Sequence, residues 1–221
     1  MMQFDTPAPV SAVLDIPAGR VRFVAADRAD TAVEVRPADA SKARDVRVAE
    51  RTTVEYGDGV LRIAAPTRPR YLGPSGAVDV TVQLPTGSRI EAKAASVELR
   101  GTGRLGDVAF EGAHGSIELD EAASARLTTS AGDVSVGRLH GPAEIRTAKG
   151  DIRIAEAVRG TVVLRTEAGD VSVGATAGAS AALDAGTGRG RVRNALRSPG
   201  GPVDLDIRAT TAHGDIAAHS L

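Results

Sequence analysis

The sequence predicts an all-β protein: a single-stranded β-solenoid (β-helix) of about seven coils, preceded by a non-repetitive β-sheet cap region. One phrase, Gly-Asp followed by alternating apolar residues, returns four times between Ser130 and Ala218, as SAGDVSV, AKGDIRI, EAGDVSV and AHGDIAA. The corner glycines stand about 20 residues apart, a period typical of stacked repeats. Aromatic residues make up only 2% of the chain, which favours a thin aliphatic interior.

The cap region, residues 1–87, contains predicted strands that do not repeat. Ala12–Ile16, Arg20–Ala25, Thr31–Pro37 and Val78–Pro85 alternate apolar and polar residues, as strands with one buried face do. The stretch Gly57-Asp58-Gly59 predicts a tight hairpin turn. The segment RPADASKARDVRVAER, residues 36–51, is compatible with a helical turn or a loop, because it contains Pro and scattered charges.

The second predicted region, residues 88–221, carries the repeat. Apolar residues stand two and four positions after most corner glycines, which predicts two short strands per coil that meet at the glycine. A degenerate first coil is expected over Ser88–Leu99. A column of threonines precedes the corner by three residues and is expected to face inward or to line an inner corner: Thr129, Thr147, Thr166, Thr187 and Thr211.

The repeated Asp after the corner glycine is interpreted as a turn residue that accepts backbone N–H groups left unpaired by the bend. Ser116 and Arg191 occupy the same position in other coils, which argues against a chemical role. The alternative is a carboxylate ladder of Asp133, Asp151 and Asp170 that binds a cation. Calcium requires about six to eight oxygen ligands, more than one Asp per coil supplies. We therefore predict no metal, no cofactor and no catalytic residue.

Composition narrows the function classes. A net charge of −1 and a pI near 6.4 mean that the chain has no excess of basic residues with which to bind nucleic acid or an anionic membrane. The absence of Cys excludes disulfides and thiolate chemistry. The start of the chain has no basic segment followed by an apolar run, and no segment is apolar enough to span a membrane, so we expect a cytoplasmic protein.

Two glycine-rich runs and the histidines are the residues that could indicate an enzyme. GTGRLG (Gly101–Gly106) and GTGRGR (Gly186–Arg191) resemble a dinucleotide loop, but a strand pattern follows the first, so turns between coils are predicted instead. His114 and His213 share one repeat column at an expected solvent-facing turn. A carbohydrate-cleaving solenoid would need aromatic sugar platforms, and the repeat region holds only Phe110. We predict that the protein is not an enzyme.

The order of motifs is similar to that of a known family. The opening LDIPAGRVRFVAADRADTAVEVRPAD, the segment VDVTVQLPTGS, then GRLGDV and the recurring T-x-x-G-D-[IV]-x-[IV] resemble the bacterial DUF4097 family, whose β-strand-repeat domain carries an adhesin label. The resemblance covers nearly the whole chain from Val10. It implies a β-helical fold and supplies no catalytic residues.

The function expected from these observations is that of a non-enzymatic cytoplasmic scaffold or interaction protein, with a protein or glycan ligand. An exported adhesin and a carbohydrate-active enzyme are the alternatives. After Gly214-Asp215-Ile216 only five residues follow, so the last coil is expected to present an open strand edge. The inner residues near this end of the stack are small or polar, so they contribute little to an apolar core: Asn194, Ala209 and Ala218. We expect a homo-oligomer formed through this C-terminal end of the solenoid.

Overall fold

The computed structural model describes residues 1–66, 76–197 and 202–221, and most of these residues lie in β-strands. They form two compact units, Met1–Gly115 and Ser116–Leu221. The elements of the first unit are β1 (Met2–Asp5), β2 (Ser11–Ala26), β3 (Asp30–Pro37), α1 (Ala43–Arg51), β4 (Thr53–Gly57), β5 (Val60–Ala64), β6 (Val78–Pro85) and β7 (Arg89–His114).

The second unit is made of strands throughout its described part. They are β8 (Ile117–Ala131), β9 (Val134–Leu139), β10 (Ala143–Lys149), β11 (Ile152–Ala157), β12 (Gly160–Ala168), β13 (Val171–Ala175), β14 (Ala181–Arg189), β15 (Val192–Ala195), β16 (Leu205–His213) and β17 (Ile216–Ser220).

Strand β2 is the centre of the first unit. Its first half pairs in parallel with β5 and its second half with β6, while β7 pairs in parallel along its other side from Arg89 to Thr102. Alternate residues of β2 face inward, and Leu14, Ile16 and Phe23 are almost fully buried. The first unit is therefore already a stack of parallel coils around an aliphatic core.

Antiparallel strands complete the first unit. Strand β3 pairs with β6, β1 with β3, and β4 with β5. The last pair closes through the predicted hairpin turn, because Gly57 and Val60 are partners and both Asp58 and Gly59 have positive φ. The ambiguous segment 36–51 contains helix α1, whose buried Val48 faces the strands and whose Asp45 accepts a hydrogen bond from the Ala77 N–H.

The predicted boundary between residues 87 and 88 lies inside the first unit. Residues 1–87 do not form a separate cap, because β7 continues the stack that β2, β5 and β6 begin. The strands predicted in the first region are present, but their alternation does not predict the parallel pairing of β2 with β5 and β6. Parallel partners of β2 are separated from it by β3, α1 and β4, so no short repeat marks the relationship.

The second unit consists of two parallel ladders that meet at the Gly-Asp corners. In the ladder before the corner, Ile145 pairs with Leu127 on one side and Leu164 on the other. In the ladder after it, Ile152 pairs with Val134 and Val171. These residues are at most 1% exposed, so the apolar columns predicted from the repeat are the core. The β-solenoid prediction is confirmed.

One coil of the stack is called a rung here. The order of the rungs in the stack differs from their order in the sequence. Strand β12 pairs with β16, and β16 pairs in turn with β14, so the first ladder runs β8, β10, β12, β16, β14. Strand β8 is long enough to belong to both ladders, and its first half begins the second ladder, which runs β8, β9, β11, β13, β17, β15. The expectation that Ile216 and Ala218 form an open edge is therefore wrong, because β17 has a strand on each side.

Burial explains this order. The rung of β16 and β17 carries Leu205, Ile207 and Ile216, all at most 1% exposed between their neighbours. The rung of β14 and β15 is rich in Gly, Ala and Arg, and its Val192 is 44% exposed. Placing the more apolar rung inside removes more apolar surface from water.

Candidate functional site

The aspartates of the Gly-Asp corners form a ladder of hydrogen bonds from rung to rung. The N–H of Asp151 donates to Oδ1 of Asp133 (2.9 Å), and the N–H of Asp170 donates to Oδ1 of Asp151 (2.8 Å). The next step passes to Asp215, whose N–H donates to Oδ1 of Asp170 (2.7 Å). Each carboxylate satisfies a backbone donor exposed by the bend of the neighbouring rung, as the turn interpretation predicts.

A second ladder runs beside the first through the threonine column. Thr166 donates its hydroxyl to the Gly150 carbonyl (3.0 Å), and Thr211 donates to that of Gly169 (3.0 Å). Gly150 itself has φ 141°, and a Cβ there would lie 2.3 Å from the Gly132 carbonyl oxygen. The corner thus requires glycine both for its backbone conformation and for the close approach of the rungs.

These contacts define what the corner can do chemically. One oxygen of each of Asp133, Asp151 and Asp170 is engaged by a backbone N–H, so the column works as a structural clamp. Across residues 1–66, 76–197 and 202–221, no cluster of three or more His, Asp or Glu side chains is placed to hold a metal ion. The cation ladder remains a hypothesis for the calcium experiment described below.

The ladder of hydrogen bonds ends at Arg191, and its place on the last rung explains why an Asp is not required there. The Arg191 N–H donates to Oδ1 of Asp215 (2.9 Å), and its guanidinium pairs with Oδ2 (3.1 Å). No rung of the described chain lies beyond Arg191, so an Asp there would have no N–H to accept. The backbone N–H of Arg191 is the main cause that holds the pKa of Asp215 below its usual value, and the guanidinium charge adds to it.

The rung of β14 and β15, called here the outer rung, is more exposed than the other described rungs of the second unit. Strand β14 pairs only with β16, and β15 only with β17, among the described residues. Every residue of β15 is exposed, whereas Val171 and Ile216 in the same column as Val192 are 1% exposed. Within the ranges that the structure describes, one side of this rung therefore presents backbone groups that no strand pairs.

The outer rung is also basic. Between Ala181 and Ala195 it holds three arginines, Arg189, Arg191 and Arg193, against one aspartate, and Arg197 lies two residues further on. The two internal rungs nearest to it, Gly160–Ala175 and 205–220, each hold one arginine and two acidic residues. The outer rung thus has a net charge of +2 (three minus one), whereas each of these two neighbours has −1 (one minus two).

The other sequence candidates occupy structural positions. Gly101–Gly106 lies within β7, with no helix after it, so it is not a nucleotide loop. The predicted turn there is a bend inside a long strand, where Gly103 has φ 78°. Gly186–Arg191 crosses the corner of the outer rung. His114 and His213 are exposed, as their column predicted.

Sequence reasoning did not select Arg189 and Arg193. Two signals could have found the outer rung: Arg191 replaces the recurrent Asp, and Asn194 stands in an otherwise apolar column. Both departures fall in the same coil. In the ranges that the structure describes, no helix has the length and apolar character needed to cross a membrane.

Parallel coils, corner glycines and internal hydrogen-bond ladders define the class of this protein as a β-solenoid repeat protein. Within that class, the chain belongs to the Toastrack DUF4097 family, whose model matches residues 74–219. The family resemblance read from the sequence is confirmed.

Solved structures of low sequence identity are similar to the chain. One is a "putative adhesin" from Bacteroides fragilis NCTC 9343, with 10% identity, coverage of 98% of this chain and 95% of that chain, and a TM-score of 0.49. A second "putative adhesin", from Parabacteroides distasonis ATCC 8503, has 16% identity, the same coverage and a TM-score of 0.48. A "putative cell adhesion protein" from Clostridium sporogenes ATCC 15579 has 11% identity, covers 100% and 98%, and scores 0.40. Curated proteins give no match.

Proposed function

We propose that this protein is a non-enzymatic scaffold that binds a partner through the outer rung, β14 and β15. The observation that carries the proposal is the unpaired side of this rung. A strand edge exposed to solvent is a template for another strand, and proteins that do not use it usually shorten it or cover it. Here the two strands span Ala181–Ala195, and all of β15 is exposed.

The rest of the repeat supports this choice of surface. The corner carboxylates and the threonine hydroxyls are engaged in holding one rung to the next. Side chains that serve the stack in this way are poor candidates for catalysis, because a reacting group must be free to meet its substrate. The backbone groups on the outer side of the outer rung take no part in holding the rungs together.

Site-specific photo-crosslinking in the cells that make the protein tests the proposal. A photoreactive residue is placed at Ala195, on the outer rung, and in a control protein at Ala155, on internal strand β11. Both are exposed alanines that follow the first residue of their strand by three positions. We expect a discrete adduct at position 195 and none at 155. Equal adducts at both positions, or none at 195, would contradict the proposal.

Surface adhesion is the second candidate, and it differs from a cytoplasmic scaffold in location. An adhesin must present the domain outside the cell, whereas the scaffold proposed here meets its partner in the cytoplasm. Fractionation of cells that produce the tagged full-length protein separates the two. We expect the protein in the cytoplasmic fraction. Recovery in the surface or extracellular fraction would favour adhesion through the same outer rung.

A further inference from the structure

We propose that the occupant of the outer rung is an extended acidic segment of a partner protein, which adds to β15 as one more parallel or antiparallel strand. This inference rests on the proposed function and names the chemistry of its partner. Such strand addition takes affinity from main-chain hydrogen bonds and specificity from alternate side chains. The backbone groups and the charge of the outer rung both point to this occupant.

The backbone of the outer rung has free groups at known positions. The Arg189 carbonyl accepts the Gly214 N–H, and the Arg191 carbonyl accepts the Ile216 N–H, each at 2.9 Å. In a parallel ladder, successive residues direct their N–H and C=O groups to opposite sides. The backbone groups of Gly190 and Val192 therefore point away from the stack, where an added strand would pair.

The charge of the outer rung selects an acidic strand. Arg193 makes no salt bridge within the described part of the chain, although its charge also acts on Asp215, and Arg191 pairs with the half-buried Asp215. An added strand lies about 4.8 Å from its neighbour. Glu or Asp side chains on its outward face would then stand beside Arg191 and Arg193, in reach of charge-assisted hydrogen bonds.

A second copy of the chain fits less well than an acidic partner. Two outer rungs placed edge to edge would bring their arginines together, and like charges directly opposite each other destabilise strand pairs. A further rung of the repeat type would also lack its clamp, because Arg191 offers no acceptor where Asp133, Asp151 and Asp170 each accept the next N–H.

The direct test is fluorescence anisotropy with a labelled ten-residue peptide in which Glu alternates with Val or Thr. The protein is the full chain, its Arg193→Glu variant and its Arg153→Glu variant. Arg153 is the matched control, because it is an exposed arginine in the same column as Arg193 but on an internal rung. We expect Arg193→Glu to weaken binding about tenfold or more, and Arg153→Glu to change it less than about twofold.

Strand addition is separated from simple charge attraction by two further arms. The same peptide with every backbone nitrogen methylated keeps its charge but has no N–H groups to donate to a strand, and we expect it not to bind. Val192→Pro removes an outward N–H and leaves the pairing of Arg191 with β17 in place. We expect this variant to melt close to the parent and to lose peptide binding.

The outcomes are decisive in each direction. Equal binding of the N-methylated peptide, or equal effects of the two arginine variants, would overturn the acidic-strand proposal. A dimeric full chain whose dimer becomes tighter with Arg193→Glu but not with Arg153→Glu would identify the occupant as a second copy and would overturn it too. An adduct at Ala195 in cells without any binding of the acidic peptide would refute this inference alone and leave the proposed function standing.

Discussion

Replacing Asp151 tests whether the corner carboxylates act as acceptors of backbone hydrogen bonds. Asp151→Ala removes the acceptor of the Asp170 N–H, which lies 2.8 Å from Oδ1, while Asp151→Asn keeps a carbonyl oxygen in that place. Hydrogen bonds to charged groups contribute about 1.5–3 kcal/mol, and water replaces part of this at an exposed corner. We expect about 1 kcal/mol of lost stability for Ala and less than half of that for Asn.

Thermal unfolding followed by circular dichroism measures this difference. For a chain of 221 residues, a loss of 1 kcal/mol lowers Tm by about 2–4 °C, so the two variants are separable. Urea unfolding provides the free energies at 25 °C. Equal losses for Asp151→Ala and Asp151→Asn would refute the acceptor role, since they would show that the negative charge alone matters. No loss for either variant would refute the ladder itself.

Three further predictions use the same unfolding assays. Thr166→Val should cost about 1 kcal/mol, because the Gly150 carbonyl loses its donor, and a stability equal to the parent would contradict this. Millimolar calcium should leave Tm unchanged, whereas a calcium-dependent rise that Asp151→Asn abolishes would support the cation ladder instead. Because the pKa of Asp215 is lowered in the folded protein, its carboxylate stabilises the fold at pH values above its ordinary pKa of 3.8, and this contribution is lost as the pH falls below 3.8. The Tm difference between the parent and Asp215→Asn should therefore shrink below that pH. A difference that stays constant down to pH 2 would contradict this role of Asp215.

The sequence carried enough information to predict the strands, the corners and the inward columns. A recurrent glycine with Asp after it and apolar residues at even spacing has few alternatives to a stack of coils. The turn role of Asp133 and Asp151 followed from the same pattern, and the observed hydrogen bonds confirm it. The hairpin at Asp58-Gly59 was equally clear, because that pair favours one turn type.

The order of the rungs could not be predicted from the repeat, since every coil offers the same ladder of backbone groups to either neighbour. What decides the order is the difference in burial between coils. Ile207 and Ile216 gain more from two neighbours than Gly186 and Asn194 do, so the coil that comes later in the chain lies further inside. Pairing of β2 with β5 and β6 was hidden for a different reason, because its partners are distant in sequence.

Amide hydrogen exchange tests the central claim most directly, namely that the outer rung, and not the coil that comes last in the sequence, is the free edge of the repeat. Exchange of individual amides is followed by NMR or by mass spectrometry of short peptides. The account predicts slow exchange at Ile216 and Ala218, which lie in β17 between β13 and β15, and fast exchange at Gly190 and Val192. Fast exchange throughout β16 and β17, with protection of the outward amides of β14 and β15, would contradict it.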